Sequence, residues 1–124
     1  MQTPKRDLTD PDPAVRARGV AHLKYCVNVA ESLGAKGIGG AIAAAHSSFR
    51  LRRPEEFQRD LERCVAALRQ VVLYAVDRGV TLVFEPLNRY ESSFCTRAEE
   101  AVQLVDAVGS PALRMMLDTF HANI

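Results

Sequence analysis

The sequence predicts an α/β fold in which parallel strands alternate with covering helices, in the order αβαβαβ. The first observation behind this is the run at residues 80–84 (VTLVF), nearly all apolar and rich in β-branched and aromatic residues. A continuous apolar run between two helical stretches fits a strand buried on both faces, as in a parallel sheet whose faces are covered by helices. The second is residues 113–117 (LRMML), another mostly apolar run after a Gly-Ser-Pro break. The third is the helical periodicity that fills the chain between such runs.

Residues 1–12 are polar and proline-containing and read as a loop cut in mid-connection. Asp12 followed by Pro13 supplies an N-cap and a proline at the first helical position. Val20, Leu23, Val27, Ala30 and Leu33 then recur at three- and four-residue steps, until Gly34 closes the helix. Residues 35–40 (AKGIGG) form a short strand by position. Their glycines match neither the dinucleotide fingerprint nor the Walker pattern, so a tight strand end is expected there and no phosphate loop. The loop at 41–53 carries His46, Ser47 and Ser48, to which no role is assigned.

Pro54, Glu55 and Glu56 open the second helix, with acids in the first turn where the helix dipole favours them. Phe57, Leu61, Cys64, Leu68, Val71, Val72 and Ala75 form its apolar stripe, and Gly79 ends it. The strand at 80–84 follows, stopping at Glu85 and Pro86 because proline cannot donate to a ladder. Thr96 and Glu99 read as a capping box for the third helix, with Ala98, Ala101, Val102, Val105 and Val108 on its buried face up to Gly109. The repeating unit is that of a partial (β/α)8 TIM barrel, a single partial domain over residues 1–124, since a closed barrel takes ~250 residues.

At 48% hydrophobic and 25% charged residues, the composition is that of a globular domain, and nothing suggests disorder. The formal net charge of +1 gives no general attraction to nucleic acid or membrane. Arg50, Arg52 and Arg53 run straight into Glu55 and Glu56, which reads as a solvated helix entrance. Cys26, Cys64 and Cys95 lack C-x-x-C spacing and are odd in number, which argues against a disulfide framework and for a reducing, cytoplasmic setting. Cys26 and Cys64 fall within helices and are expected as small core side chains. No apolar run reaches the ~20 residues of a bilayer span, and the start lacks a secretory h-region.

Two predicted strands thus each finish on an acid, Glu85 and Asp118, with His121 three residues beyond the second. In parallel α/β folds the carboxyl ends of the strands form the ligand-binding edge. Either acid alone could simply cap a following helix or face solvent. Two on neighbouring strands place two hard oxygen donors at one mouth, suited to Mg²⁺ or Mn²⁺, and a nearby imidazole widens the choice to Co²⁺ or Zn²⁺.

The stretches EPLNRYE (85–91) and VGSPALRMMLDTFHANI (108–124), with the lead-in LGAKGIGG (33–40), resemble the xylose-isomerase-like barrels, most of all the D-tagatose/D-psicose (D-allulose) 3-epimerase family. The likeness spans nearly the whole chain, as barrel strands four to six with their helices. It implies that Glu85 is a metal ligand and one of two catalytic glutamates, that Asp118 is a further metal ligand, and that Glu91 and His121 hydrogen-bond the sugar. It also implies a divalent cofactor, Mn²⁺ foremost with Co²⁺ or Mg²⁺ as alternatives. The reaction implied is C3 epimerisation of a ketose, one glutamate removing the C3 proton while the other returns a proton from the opposite face. The family's remaining ligands, a histidine and the second glutamate, have no counterpart in this sequence, so the 124-residue chain alone is expected to be inactive. Where relatives carry Gly-Pro and an aromatic, this chain has Gly40, Ala41, Ile42 and Ala43.

Competing readings are an apurinic-endonuclease-like phosphodiesterase, a hydroxypyruvate-isomerase- or inosose-dehydratase-like enzyme, and a non-catalytic remnant or association module. The NRYE loop and the absence of a basic stripe stand against the nuclease. The expected partners are a small ketose and, through exposed sheet edges, further copies of the chain, with no nucleic acid and no membrane.

Overall fold

The computed structural model describes residues 1–46 and 52–124. Its elements are α1 (Pro13–Ser32), β1 (Gly37–Gly40), α2 (Pro54–Val76), β2 (Thr81–Phe84), α3 (Ala98–Val108), β3 (Leu113–Met115) and a terminal turn of helix, α4 (Thr119–Ala122). The three strands form one parallel sheet in the order β1-β2-β3, with Ile38 opposite Leu82 and Leu82 opposite Leu113. This is the partial barrel expected from the repeating β/α unit.

The helices begin and end for local reasons. Asp12 accepts a 2.8 Å hydrogen bond from the amide of Ala14 with Pro13 at the first helical position, as its sequence implies. Val20, Leu23, Val27 and Ala30 are buried, whereas Leu33, expected on the same face, is 78% exposed because the helix ends there. The α2 stripe is buried from Leu61 to Ala75, with Phe57 partly so. The start of α3 corrects the expected capping box by one residue: Arg97 is the N-cap, and Glu100, not Glu99, accepts from the Thr96 amide at 3.0 Å. On α3, Leu104 is buried and Val102 exposed, again a correction of the expected face.

One face of the sheet meets the helices, and there Leu82, Phe84 and Leu113 pack with Val27, Leu68, Val71 and Leu104 into the core. The expectation that β2 is buried on both faces fails. Leu82 and Phe84 are buried, but Thr81 and Val83 are only half-buried, since the helices cover one side and those two side chains point to the other. The same alternation carries Glu85 onto the open side, the side that forms the interior of a closed barrel. β3 is also shorter than the five residues expected. The Met116 amide still donates to the Phe84 carbonyl at 2.9 Å, but β2 ends at Phe84, two residues before Pro86, so the next residues have no ladder partner.

Two polar regions are more structured than their composition suggests. Residues 1–9 lie along the segment after β1: the Leu8 amide donates to the Ala43 carbonyl at 3.1 Å, and Gln2, Asp7, Leu8 and Thr9 are buried. Of the arginine cluster expected in solvent, Arg53 is exposed beside Glu55, but Arg52 is 4% exposed and bonds Asp60 at 2.7 Å. Its guanidinium also donates to the carbonyl and hydroxyl oxygens of Ser93. Arg50, like Ser47 and Ser48, lies outside the described residues. Cys64 and Cys95 are buried, and burial pushes both thiols well above their ordinary range. Cys26, expected in the core, is half-buried with its sulfur 3.7 Å from His22 Nε2. Among the described residues no helix is long and apolar enough to cross a membrane.

Candidate functional site

Two strand ends deliver the site, and a third braces it. Glu85 follows β2 directly, its backbone held by a 3.0 Å bond from its amide to the Gly40 carbonyl at the end of β1. Asp118 and His121 come from the turn after β3. Asp118 caps α4, accepting at 2.8 Å from the Phe120 amide, and α4 turns His121 back toward β2. Glu85, Asp118 and His121 each offer one ligating atom, and these atoms lie within 4.8 Å of one another. His121 Nε2 is 3.8 Å from Glu85 Oε1, and both side chains are mostly enclosed.

The simple capping reading of Asp118 is therefore correct and incomplete, because a carboxylate has a second oxygen to spare. Two carboxylates and an imidazole around one point form a donor set that fits a hard to borderline divalent cation. Asp118 and His121 also line a groove of about 470 Å³, together with Asn88, Arg89 and Thr96.

Glu91 lies one step outward, within a hydrogen-bonded chain. Its Oε1 accepts from Asn88 Nδ2 at 3.1 Å, and its Oε2 lies 3.2 Å from His46 Nε2. Asn88 Nδ2 is also 2.9 Å from His121 Nδ1, so one amide joins the Glu91 branch to the Glu85 cluster. The Asn88 hydrogen bond, chiefly, holds the Glu91 carboxyl below the usual range; burial opposes it, and the His46 contact and the nearby imidazoles add smaller lowering effects. A depressed acid stabilises the fold above its unfolded pKa, and that contribution disappears as pH falls through the folded value. Asn88→Ala is expected to move the Glu91 midpoint up toward the ordinary range, read from side-chain carboxyl ¹³C shifts. An unchanged midpoint would show that Asn88 is not the cause.

The structure brings Glu85, Asp118 and His121 together and connects Glu91 to them only through Asn88. His121 stands close enough to the acids to count among the candidate ligands, as well as among candidate sugar contacts. Sequence reading missed Asn88 and His46. Only the EPLNRYE stretch signalled Asn88, as one polar residue in a turn, and nothing local marked His46.

The family model for the xylose isomerase-like TIM barrel matches residues 1–124. The chain belongs to the xylose isomerase-like TIM barrel family. Within that family it is 36% identical over 118 residues to the L-ribulose 3-epimerase of Mesorhizobium japonicum, covering 95% of this chain and 39% of that protein. It is 35% identical to the D-psicose 3-epimerase of Agrobacterium fabrum, covering 96% of this chain and 41% of the relative. A solved D-allulose 3-epimerase of Methylomonas sp., in complex with D-allulose, superposes with a TM-score of 0.90 at 30% identity, over 98% of this chain and 41% of that one. The chain thus spans about two fifths of the length of the xylose isomerase-like relatives it matches.

Proposed function

We propose that this chain carries part of the active site of a metal-dependent ketose 3-epimerase. Glu85 and Asp118 hold the cation, Glu85 also exchanges the C3 proton, and Glu91 and His121 hydrogen-bond the sugar. The observation that carries the reading is the convergence of Glu85, Asp118 and His121 within 4.8 Å at the carboxyl ends of neighbouring parallel strands. Its support from relatives is that the similar enzymes act at C3 of ketoses.

A divalent cation held by Glu85 and Asp118 would supply the positive charge that offsets the negative charge developing on the ketose oxygens, worth several kcal/mol. Mn²⁺ is the proposed ion, with Co²⁺ or Mg²⁺ as alternatives. Glu85 is suited to proton transfer because its strand end projects it onto the open side of the sheet, where a ketose C3 hydrogen can approach. His121 and Glu91 orient the ketose, one as a donor and the other as an acceptor. A cytoplasmic setting and association of copies through the edges of β1 and β3 belong to the same proposal. Exposed Met116, Leu117 and Phe120 beside the β3 edge support the association.

The test is a chimera in which residues 1–124 replace the matched segment of the Methylomonas enzyme. It is expected to epimerise D-allulose at C3 in the presence of Mn²⁺, followed by NMR. Glu85→Ala or Asp118→Ala in that chimera should abolish turnover, while Cys64→Ala, far from the site in the core of α2, should leave it nearly intact. A folded chimera without turnover, or one that keeps full activity as Glu85→Ala, would refute the assignment.

A further inference from the structure

We propose that Asn88 is a positioning residue that fixes the tautomer of His121, keeping the proton on Nε2 so that the ring enters the site as a hydrogen-bond donor and not as a metal ligand. This rests on reading the cluster as a cation and ketose site.

Two contacts converge on His121 Nδ1. The Asn88 backbone amide donates to His121 Nδ1 at 3.3 Å, and a backbone N–H can only donate. The Asn88 side-chain nitrogen lies 2.9 Å from the same atom. Its identity as the NH₂ group is fixed independently, because the other amide atom, Oδ1, accepts from the Tyr90 amide at 2.8 Å. Nδ1 therefore faces donors from two directions and must supply the lone pair. A neutral imidazole has one N–H, which then sits on Nε2, 3.8 Å from Glu85 Oε1.

That assignment divides the labour within the cluster. By distance alone His121 qualifies as a third ligand beside Glu85 and Asp118. With Nε2 protonated it has no lone pair on that side, and the ring can give a hydrogen bond to a carboxylate or to a sugar oxygen. The second proton of Asn88 Nδ2 goes to Glu91 Oε1 at 3.1 Å, so a single amide sets the donor ring and holds the acceptor acid at once. The turn closed by Tyr90 keeps that amide in register, and Asn88 itself is buried.

Asn88→Asp reverses the side-chain contact on Nδ1 and also turns an oxygen toward Glu91 Oε1, so Asn88→Ala, which loses the Glu91 bond without adding a charge, is read beside it. An aspartate keeps an oxygen to accept from Tyr90, so the turn survives, but it replaces the donor on Nδ1 with an acceptor. The experiment uses the 124-residue chain with ¹⁵N-labelled histidine, read by long-range ¹H–¹⁵N correlation at about pH 8, above the ordinary histidine range. His121→Gln assigns its resonances apart from those of His22 and His46. The expected wild-type pattern is a pyridine-like Nδ1 and a pyrrole-like Nε2. In Asn88→Asp the two characters should exchange, and in Asn88→Ala, which keeps only the backbone donor, a measurable Nδ1–H fraction should appear. A pyrrole-like Nδ1 in the wild type overturns the proposal, as does an unchanged tautomer in a folded Asn88→Asp protein. Should that variant fail to fold, Asn88→Ala decides, and an unshifted pattern there overturns it. Failure of the cation site would show as absent Mn²⁺ binding by the chimera with these resonances in place, so the two readings fail separately.

Discussion

Asp60→Ala is expected to lower the free energy of unfolding by about 3–5 kcal/mol, the cost of leaving one member of a buried ion pair alone. Asp60 lies on α2 at 1% exposure and bonds Arg52 at 2.7 Å and Arg63 at 2.8 Å. Arg52 is nearly as enclosed. Its guanidinium reaches Thr9 in the first segment and Ser93 in the turn before α3, and stacks near the Phe94 ring. Removing the carboxylate takes the 2.7 Å anionic contact from an enclosed guanidinium that joins three chain segments. Urea unfolding checks the magnitude, and a loss below about 1 kcal/mol would mean that water relieves the pair as at an exposed site. The double replacement Arg52→Met with Asp60→Leu is expected to recover much of the loss, since it removes the charge together with its partner. Because Ser93 borders the turn that leads from Glu91, the same pair also bears on how firmly the outer half of the site is held.

The features legible in the sequence are those that local chemistry decides. Proline and aspartate fixed the start of α1, and Gly109, with φ at 68°, fixed the end of α3 as its composition implies. The apolar run before Glu85 identified β2, and the two strand-end acids pointed to the site. The features missed depend on which side of an element a partner occupies. Val83 looked as buried as Leu82 because apolar character does not reveal that helices cover only one face of β2. Arg52 looked solvated because its partner lies eight residues on and its other contacts come from distant segments. His46 and Glu91 are 45 residues apart, and only the sheet order brings their loops together. Asn88 was hidden for a different reason: its importance lies in two donors and one acceptor aimed at three separate groups, and a one-letter code carries no directions.

The second large effect concerns the cation. If Glu85 and Asp118 grip one ion jointly, losing either charge should weaken Mn²⁺ binding by more than the ~10–100-fold that an outer-shell change costs. Amide replacements make the comparison clean. Asparagine is as good an N-cap as aspartate, so Asp118→Asn keeps the start of α4 and removes only the charge, and Glu85→Gln keeps the shape of a side chain that makes no structural ion pair with an arginine or lysine among the described residues. Both variants should therefore fold as the wild type does and differ only in their hold on the metal.

The most direct measurement is a Mn²⁺ titration of the chimera that carries residues 1–124, and of these two variants within it, followed by the loss of the free-ion EPR signal. A single saturable Mn²⁺ site in the wild type that disappears in both Glu85→Gln and Asp118→Asn is the predicted result. Retention of that site in either variant would mean that the two carboxylates do not meet around one ion, and the account of this site would be wrong.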